Sequence, residues 1–188
     1  MESQKFHTVS WEKLHTSSFK LSQKIRKSGK KLNLIVAIAR GGMTIAQILS
    51  DFLTLPVATF TISSYKDMKS GDLSEIAFHV GARLDHKDIL LVDDISDTGK
   101  TFIRGTKYLQ ELGANSVTTA SLFIKPWTKY IPDFYTKEVH DWVVFPFDIK
   151  ETIDAINKKM LKEGKKTSQI QNKLEHIKIP KKYIKKFT

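Results

Sequence analysis

Leu90-Leu91-Val92-Asp93-Asp94-Ile95-Ser96-Asp97-Thr98-Gly99-Lys100-Thr101 decides the fold. Residues 89–92 form a short, continuous apolar run, as expected of a strand buried on both faces. The chain then turns polar at once. Residues 96–101 read as a turn that opens a helix over 98–112, which Gly113 ends. Such a turn is rich in hydroxyls and exposed backbone N–H groups, and it can cradle a phosphate monoester at the helix N-terminus. Asp93 and Asp94, at the strand's end, face the same cleft. Carboxylates beside a phosphate cradle repel bare phosphate, but they fit as acceptors for sugar hydroxyls or as water-mediated contacts to Mg²⁺. The stretch therefore suits a phosphorylated sugar with a metal. The plainer alternative is an acidic loop whose Asp and Thr cap a helix.

Outward from this stretch, strands and helices alternate. Ser10 is a plausible N-cap for an amphipathic helix carrying Trp11, Leu14, Leu21 and Ile25 and stopped by Gly29. A strand is expected over 32–38, a helix over 43–53 ended before Pro56, and a second strand over 57–62. Residues 63–77 are polar and read as a long loop. A fourth strand is expected over 117–124 and a fifth over 142–145. The strands are unbroken apolar runs, which favours a mostly parallel sheet flanked by helices on both faces. Sheets of this kind bind ligands at the carboxyl ends of their strands.

The chain has 188 residues, enough to bury about 70% of its unfolded surface without a staple. It has no cysteine, which excludes a disulfide scaffold, a thiolate metal site and a cysteine nucleophile. The apolar runs are too short to span a membrane, and the first residues lack a secretory apolar stretch, so a cytoplasmic location is expected. The net charge is +11. Residues 158–188 hold 11 lysines and 2 glutamates, whereas the preceding 157 residues carry 20 basic and 18 acidic groups. The organisation expected is a nearly neutral domain over 1–157 and a basic helical extension over 158–188. That extension is either a solvated surface or a contact for nucleic acid.

The stretch 92–101 resembles the signature of the type I phosphoribosyltransferases: apolar residues, two acidic residues, two variable ones, Asp-Thr-Gly and a nearby Thr. The likeness covers residues 32–148. It implies that Asp93 and Asp94 hold the ribose hydroxyls of phosphoribosyl pyrophosphate (PRPP), with Mg²⁺ contacted mostly through water or substrate. Asp97, Thr98, Gly99, Lys100 and Thr101 then bind the 5-phosphate, Ile95 and Ser96 before them are counted among the substrate-binding residues, and Asp97 is the candidate general base. Arg40-Gly41-Gly42 after the first strand looks like the family's pyrophosphate loop, with a cis peptide expected at Ala39–Arg40. Ser64-Tyr65 looks like the start of the lid over PRPP.

Two further segments look like the 6-oxopurine branch of the family, in its bacterial and archaeal form. Lys125, after the fourth strand, matches the lysine that donates to the purine 6-oxo group. In residues 141–148, Trp142 matches the aromatic that stacks on the base, Val143 its edge contact, and Asp148 an acidic residue that reaches Mg²⁺. The resemblance implies a purine salvage enzyme with a small hood beside the main sheet, a dimer or tetramer. It would transfer the phosphoribosyl group of PRPP to N9 of hypoxanthine, guanine or xanthine. The alternative is a PRPP-sensing regulator that binds nucleic acid through the basic tail.

Overall fold

The computed structural model describes residues 5–63 and 75–188. The chain opens with β1 (Phe6–Thr8) and α1 (Trp11–Lys27). Ser10 caps α1: its hydroxyl accepts from the Lys13 N–H at 3.2 Å and its carbonyl from the Leu14 N–H at 2.8 Å. Leu14, Leu21 and Ile25 are buried as the periodicity implies. Trp11, expected on the same stripe, is 58% exposed. It is the first residue of the helix, where the stripe has barely begun.

Two compact units follow from the contacts, residues 15–138 and the remaining ends of the chain. The first unit is built on β2 (Leu34–Ala39), α2 (Gly41–Leu53), β3 (Val57–Ser63), β4 (Glu75–Phe78), β5 (Asp88–Ser96), α3 (Lys100–Glu111), β6 (Ser116–Ile124) and β7 (Phe134–Glu138). Its six strands lie in the order β4-β3-β2-β5-β6-β7. All pairs are parallel except β3–β4. Strand side chains alternate between faces. Leu34, Val36, Ile38, Ile89 and Leu91 join Phe60 and, from α3, Phe102, Tyr108 and Leu109 in one core cluster. The intervening Ile35, Ala37, Leu90 and Val92 are just as inaccessible. Burial on both faces is why these strands read as unbroken apolar runs.

Three differences from the sequence expectation stand out in this unit. The strand expected to stop at Val92 runs on to Ser96, because β6 pairs with it from Asp88↔Ser116 through Ser96↔Ile124. The segment expected to be a loop over 63–77 includes the end of β3 and the start of β4. β7 was not expected. It is an edge strand of half-exposed residues, tied at its start by the Asp133 carboxylate, which accepts from the Thr119 N–H and hydroxyl at 2.8 Å each.

The second unit holds β1, β8 (Trp142–Val144), α4 (Ile149–Lys162), α5 (Thr167–His176) and α6 (Lys181–Phe187). β8 was expected as a fifth strand of the main sheet. Instead it pairs in parallel with β1 as a separate two-stranded sheet, with Phe6↔Trp142 and Thr8↔Val144 in register. The helices expected in the tail are present, and Gly164 (φ +72°) separates α4 from α5. They close on their own core of Ile153, Ile156, Ile170, Leu174, Ile177 and Ile184. α4 runs without a break through positions 157 and 158. Among the described residues, no helix is long and apolar enough to cross a membrane.

Candidate active site

Parallel strands end at one edge of their sheet, and the ends of β2, β5 and β6 carry most of the residues singled out above. β5 delivers the first of them. Asp93 is in register with Ser121 of β6 and is only 7% exposed. Burial pushes its carboxyl well above the usual carboxylate range, and the adjacent Asp94 charge pushes it further. The Asp94 N–H, which donates to Asp93 Oδ1 at 3.0 Å, and the Thr101 hydroxyl oppose that rise. The pair is thus electrostatically unfavourable as it stands. A cation or two hydroxyl donors arriving there would relieve it.

The loop after β2 packs against this pair. The Ala39–Arg40 peptide is cis, as the family likeness implied. Gly41 begins α2, and a Cβ built on it would lie 2.5 Å from Asp94 Oδ2. A Cβ on Gly42 would run into the Val92 carbonyl oxygen. Both positions are therefore glycine because another chain segment occupies the space a side chain would need. Arg40 is exposed at the mouth of this loop.

Beyond β5 the chain turns into α3. Gly99 holds φ +83°, and a Cβ there would be 2.6 Å from both the Tyr130 Cβ and N. The first turn of α3, from Lys100, presents the N–H groups that a helix start leaves without intrahelical partners. The Thr98 hydroxyl accepts weakly from the Lys100 N–H at 3.4 Å. Ser96 departs from the expected picture. It is the last residue of the strand rather than the first of the turn, and it is fully buried. Its hydroxyl donates to the Tyr130 carbonyl at 2.7 Å and lies 2.9 Å from the Thr128 hydroxyl. Its side chain ties loops together within the protein.

β6 supplies the facing wall. Ser96↔Ile124 is the last paired position, so Asp97 and Lys125 stand next to each other where the two strands end. Lys125 is only 6% exposed, and its Nζ lies 5.2 Å from the centroid of the Trp127 ring. A buried ammonium over an indole face gains cation–π stabilisation. The Trp127 Nε1–H donates to Asp97 Oδ1 at 2.8 Å. Trp127 was not singled out from sequence, because a lone tryptophan after Lys-Pro sets no pattern.

Residues 40–42, 93–101 and 125 are thus brought together in one unit. Trp142, Val143 and Asp148 belong to the other. There Trp142 is 52% exposed on β8, Val143 is half-buried beside it, and Asp148 precedes α4, its carbonyl accepting from the Thr152 N–H at 2.9 Å. Ser64 and Tyr65 lie outside the described residues. Among the described residues, no three His, Cys, Asp or Glu side chains cluster as a metal cage. Two adjacent hard carboxylates suit a Mg²⁺ that keeps most of its waters and arrives with a phosphorylated ligand.

Comparison with known proteins points to one family. The family model of the phosphoribosyl transferase domain matches residues 10–153. A xanthine-guanine phosphoribosyltransferase from Idiomarina loihiensis is 31% identical over 144 residues, 75% of this chain and 86% of its own length. One from Nitratidesulfovibrio vulgaris is 31% identical over 147 residues, 77% of this chain and 85% of its own. The crystal structure of a purine phosphoribosyltransferase from Pyrococcus horikoshii superimposes with a TM-score of 0.69 at 32% identity, over 76% of this chain and 93% of that one.

Proposed function

Because the chain belongs to the phosphoribosyltransferase family, we propose that it is a purine salvage enzyme. It transfers the phosphoribosyl group of PRPP to N9 of a 6-oxopurine and releases pyrophosphate. The observation that carries this reading is the fit of Gly41 against the Asp94 carboxylate, on the strand that runs into α3. An acidic pair, the two glycines that open α2 and the start of α3 lie within one unit. That combination serves a sugar carrying phosphate at both ends.

In this reading the backbone N–H groups of residues 97–101 hold the 5-phosphate. Asp93 and Asp94 accept from the ribose hydroxyls, which offsets the burial and mutual repulsion that raise the Asp93 carboxyl. Arg40 and the Gly41 and Gly42 amides hold the departing pyrophosphate, whose developing charge is largest as the C1 bond breaks. Asp93 and Asp94, through water or substrate, and by family likeness Asp148 would hold Mg²⁺, which would supply charge neutralisation to the leaving group. Asp97 takes the purine proton at N7. Lys125 donates to the 6-oxo group, with its position fixed by burial and by the indole of Trp127. The family likeness adds the half-exposed face of Trp142 for stacking and the Val143 backbone for the base edge. It also implies a homodimer or tetramer, which sedimentation would read.

The test is pyrophosphate release from PRPP and Mg²⁺ with hypoxanthine, guanine, xanthine, adenine and orotate in turn. Turnover with one or more 6-oxopurines is expected. Turnover with adenine or orotate alone would overturn the roles given to Lys125 and Trp142.

One observation favours a second reading, a nucleic-acid-binding regulator. The eleven lysines and two glutamates of residues 158–188 sit on helices folded around their own core and on the turns that join them, so the charge is displayed on an ordered scaffold. PRPP binding without turnover, together with salt-dependent anisotropy of a labelled duplex, would put this reading first.

A further inference from the structure

We infer that Trp127 is a positioning residue for Asp97 and a shaping residue for the Lys125 side of the base pocket. The inference rests on the roles proposed above for Asp97 and Lys125.

The segment after β6 is a rigid frame. The Thr128 N–H donates to the Lys125 carbonyl at 3.1 Å, closing a turn with Pro126 in its second position. The turn is laced to the end of β5 on both sides. The Lys125 N–H donates to the Ser96 carbonyl at 3.0 Å, and the Lys129 N–H to the Thr98 carbonyl at 3.2 Å. The Ser96 hydroxyl reaches both Thr128 and Tyr130, and Gly99 packs so closely on Tyr130 that no side chain would fit. Trp127 projects from this frame with 55% of its surface exposed.

An exposed tryptophan whose N–H meets a carboxylate and whose ring meets a buried ammonium has little to gain from packing. Its two contacts go to the two residues assigned to the purine. The indole N–H occupies Asp97 Oδ1 at 2.8 Å. That fixes the carboxylate plane and leaves Oδ2 to meet the N7 proton, since an ionised carboxylate has about four acceptor sites. The ring face holds the Lys125 ammonium at 5.2 Å from its centroid. Asp97 is itself exposed, so without this bond its side chain would turn freely among rotamers.

A double-mutant cycle on the full chain tests the inference. Trp127→Phe keeps the ring and removes the N–H. It is expected to lower kcat with a 6-oxopurine by about tenfold or more, the effect of one hydrogen bond to a charged group. KM for PRPP should stay within about twofold, because the phosphate and ribose contacts are untouched. Placed on Asp97→Asn, the same change should cost nothing further. Trp127→Ala, which also removes the ring, should in addition raise KM for the base. Equal loss from Trp127→Phe in both backgrounds, or wild-type kcat in the single variant, would overturn the positioning role. Unchanged KM for the base in Trp127→Ala would overturn the shaping role. Wild-type kcat in Asp97→Asn alone would instead strike the proton role of Asp97, and this inference with it. Melting temperatures check that each variant is folded.

Discussion

Replacing Gly41 by alanine probes the site with a single methyl group. The new Cβ would sit 2.5 Å from Asp94 Oδ2, 2.6 Å from its Cγ and 2.8 Å from Oδ1. Non-bonded carbon contacts settle near about 3.5 Å, so the carboxylate must retreat by about 1 Å. Asp94 is half-buried and its carboxyl is the end of a side chain, so the strain falls on its rotamer and not on the sheet. The cost to folding should be small, because alanine in a helix gains up to about 1 kcal/mol over glycine and offsets part of the strain. The cost to function should be large, because a displacement of about 1 Å at a reacting sugar costs on the order of a hundredfold. Gly41→Ala is therefore expected to lower kcat/KM for PRPP about a hundredfold while Tm moves by no more than about 4 °C. Gly42→Ala is the control, since its Cβ meets the Val92 backbone carbonyl, which cannot turn aside, and it should fail to fold stably. Steady-state pyrophosphate release and a thermal melt read both variants. Wild-type kcat/KM for PRPP in a folded Gly41→Ala protein would refute the placement of Asp94 against the sugar.

Three further outcomes follow from the same geometry. Lys125→Ala should raise KM for a 6-oxopurine by at least about tenfold, the loss of one charge-assisted hydrogen bond, and leave KM for PRPP nearly unchanged; equal rises in both constants would remove the lysine from base recognition. Asp93→Asn should abolish turnover yet stabilise the ligand-free protein at pH 7. The raised carboxyl pKa means that ionisation costs the folded state stability above the usual carboxylate range, and relief of about 1 kcal/mol would raise Tm by about 3 °C. Asp88 behaves oppositely. Ser116 and Asn115 donate to it at 2.6 and 2.7 Å and hold its carboxyl below the ordinary 3.8. Its contribution is fully present above that value and lost as pH falls through the folded one, so the difference between the denaturant midpoints of wild type and Ser116→Ala should be constant near pH 6 and shrink progressively as pH falls below 3.8.

The stretch from Leu90 to Thr101 was legible because its signals are local. An apolar run, two carboxylates and a hydroxyl-rich turn each state their preference without help from the rest of the chain. β2 and β6 were legible for the same reason, since both faces of each are buried. What could not be read depends on pairing. β5 extends past Val92 into polar residues only because β6 offers a partner out to Ile124. β1 has three residues, and β7 pairs on one side only, so neither builds a pattern. The strand at Trp142 was expected, but its partner was not: nothing in residues 142–145 distinguishes pairing with the main sheet from pairing with β1. Within the site, Arg40, Asp93 and Lys125 were found from where strands end. Trp127 was missed because its meaning lies in a register, Ser96↔Ile124, that puts two loop starts side by side.

A crystal structure with a purine nucleoside 5-monophosphate and Mg²⁺ is the most direct test of how this site works. The 5-phosphate is expected on the backbone N–H groups of residues 97–101, with the ribose hydroxyls within hydrogen-bond distance of Asp93 and Asp94. A phosphate held by Arg40 and Gly41 instead, with the ribose away from both carboxylates, would contradict the account.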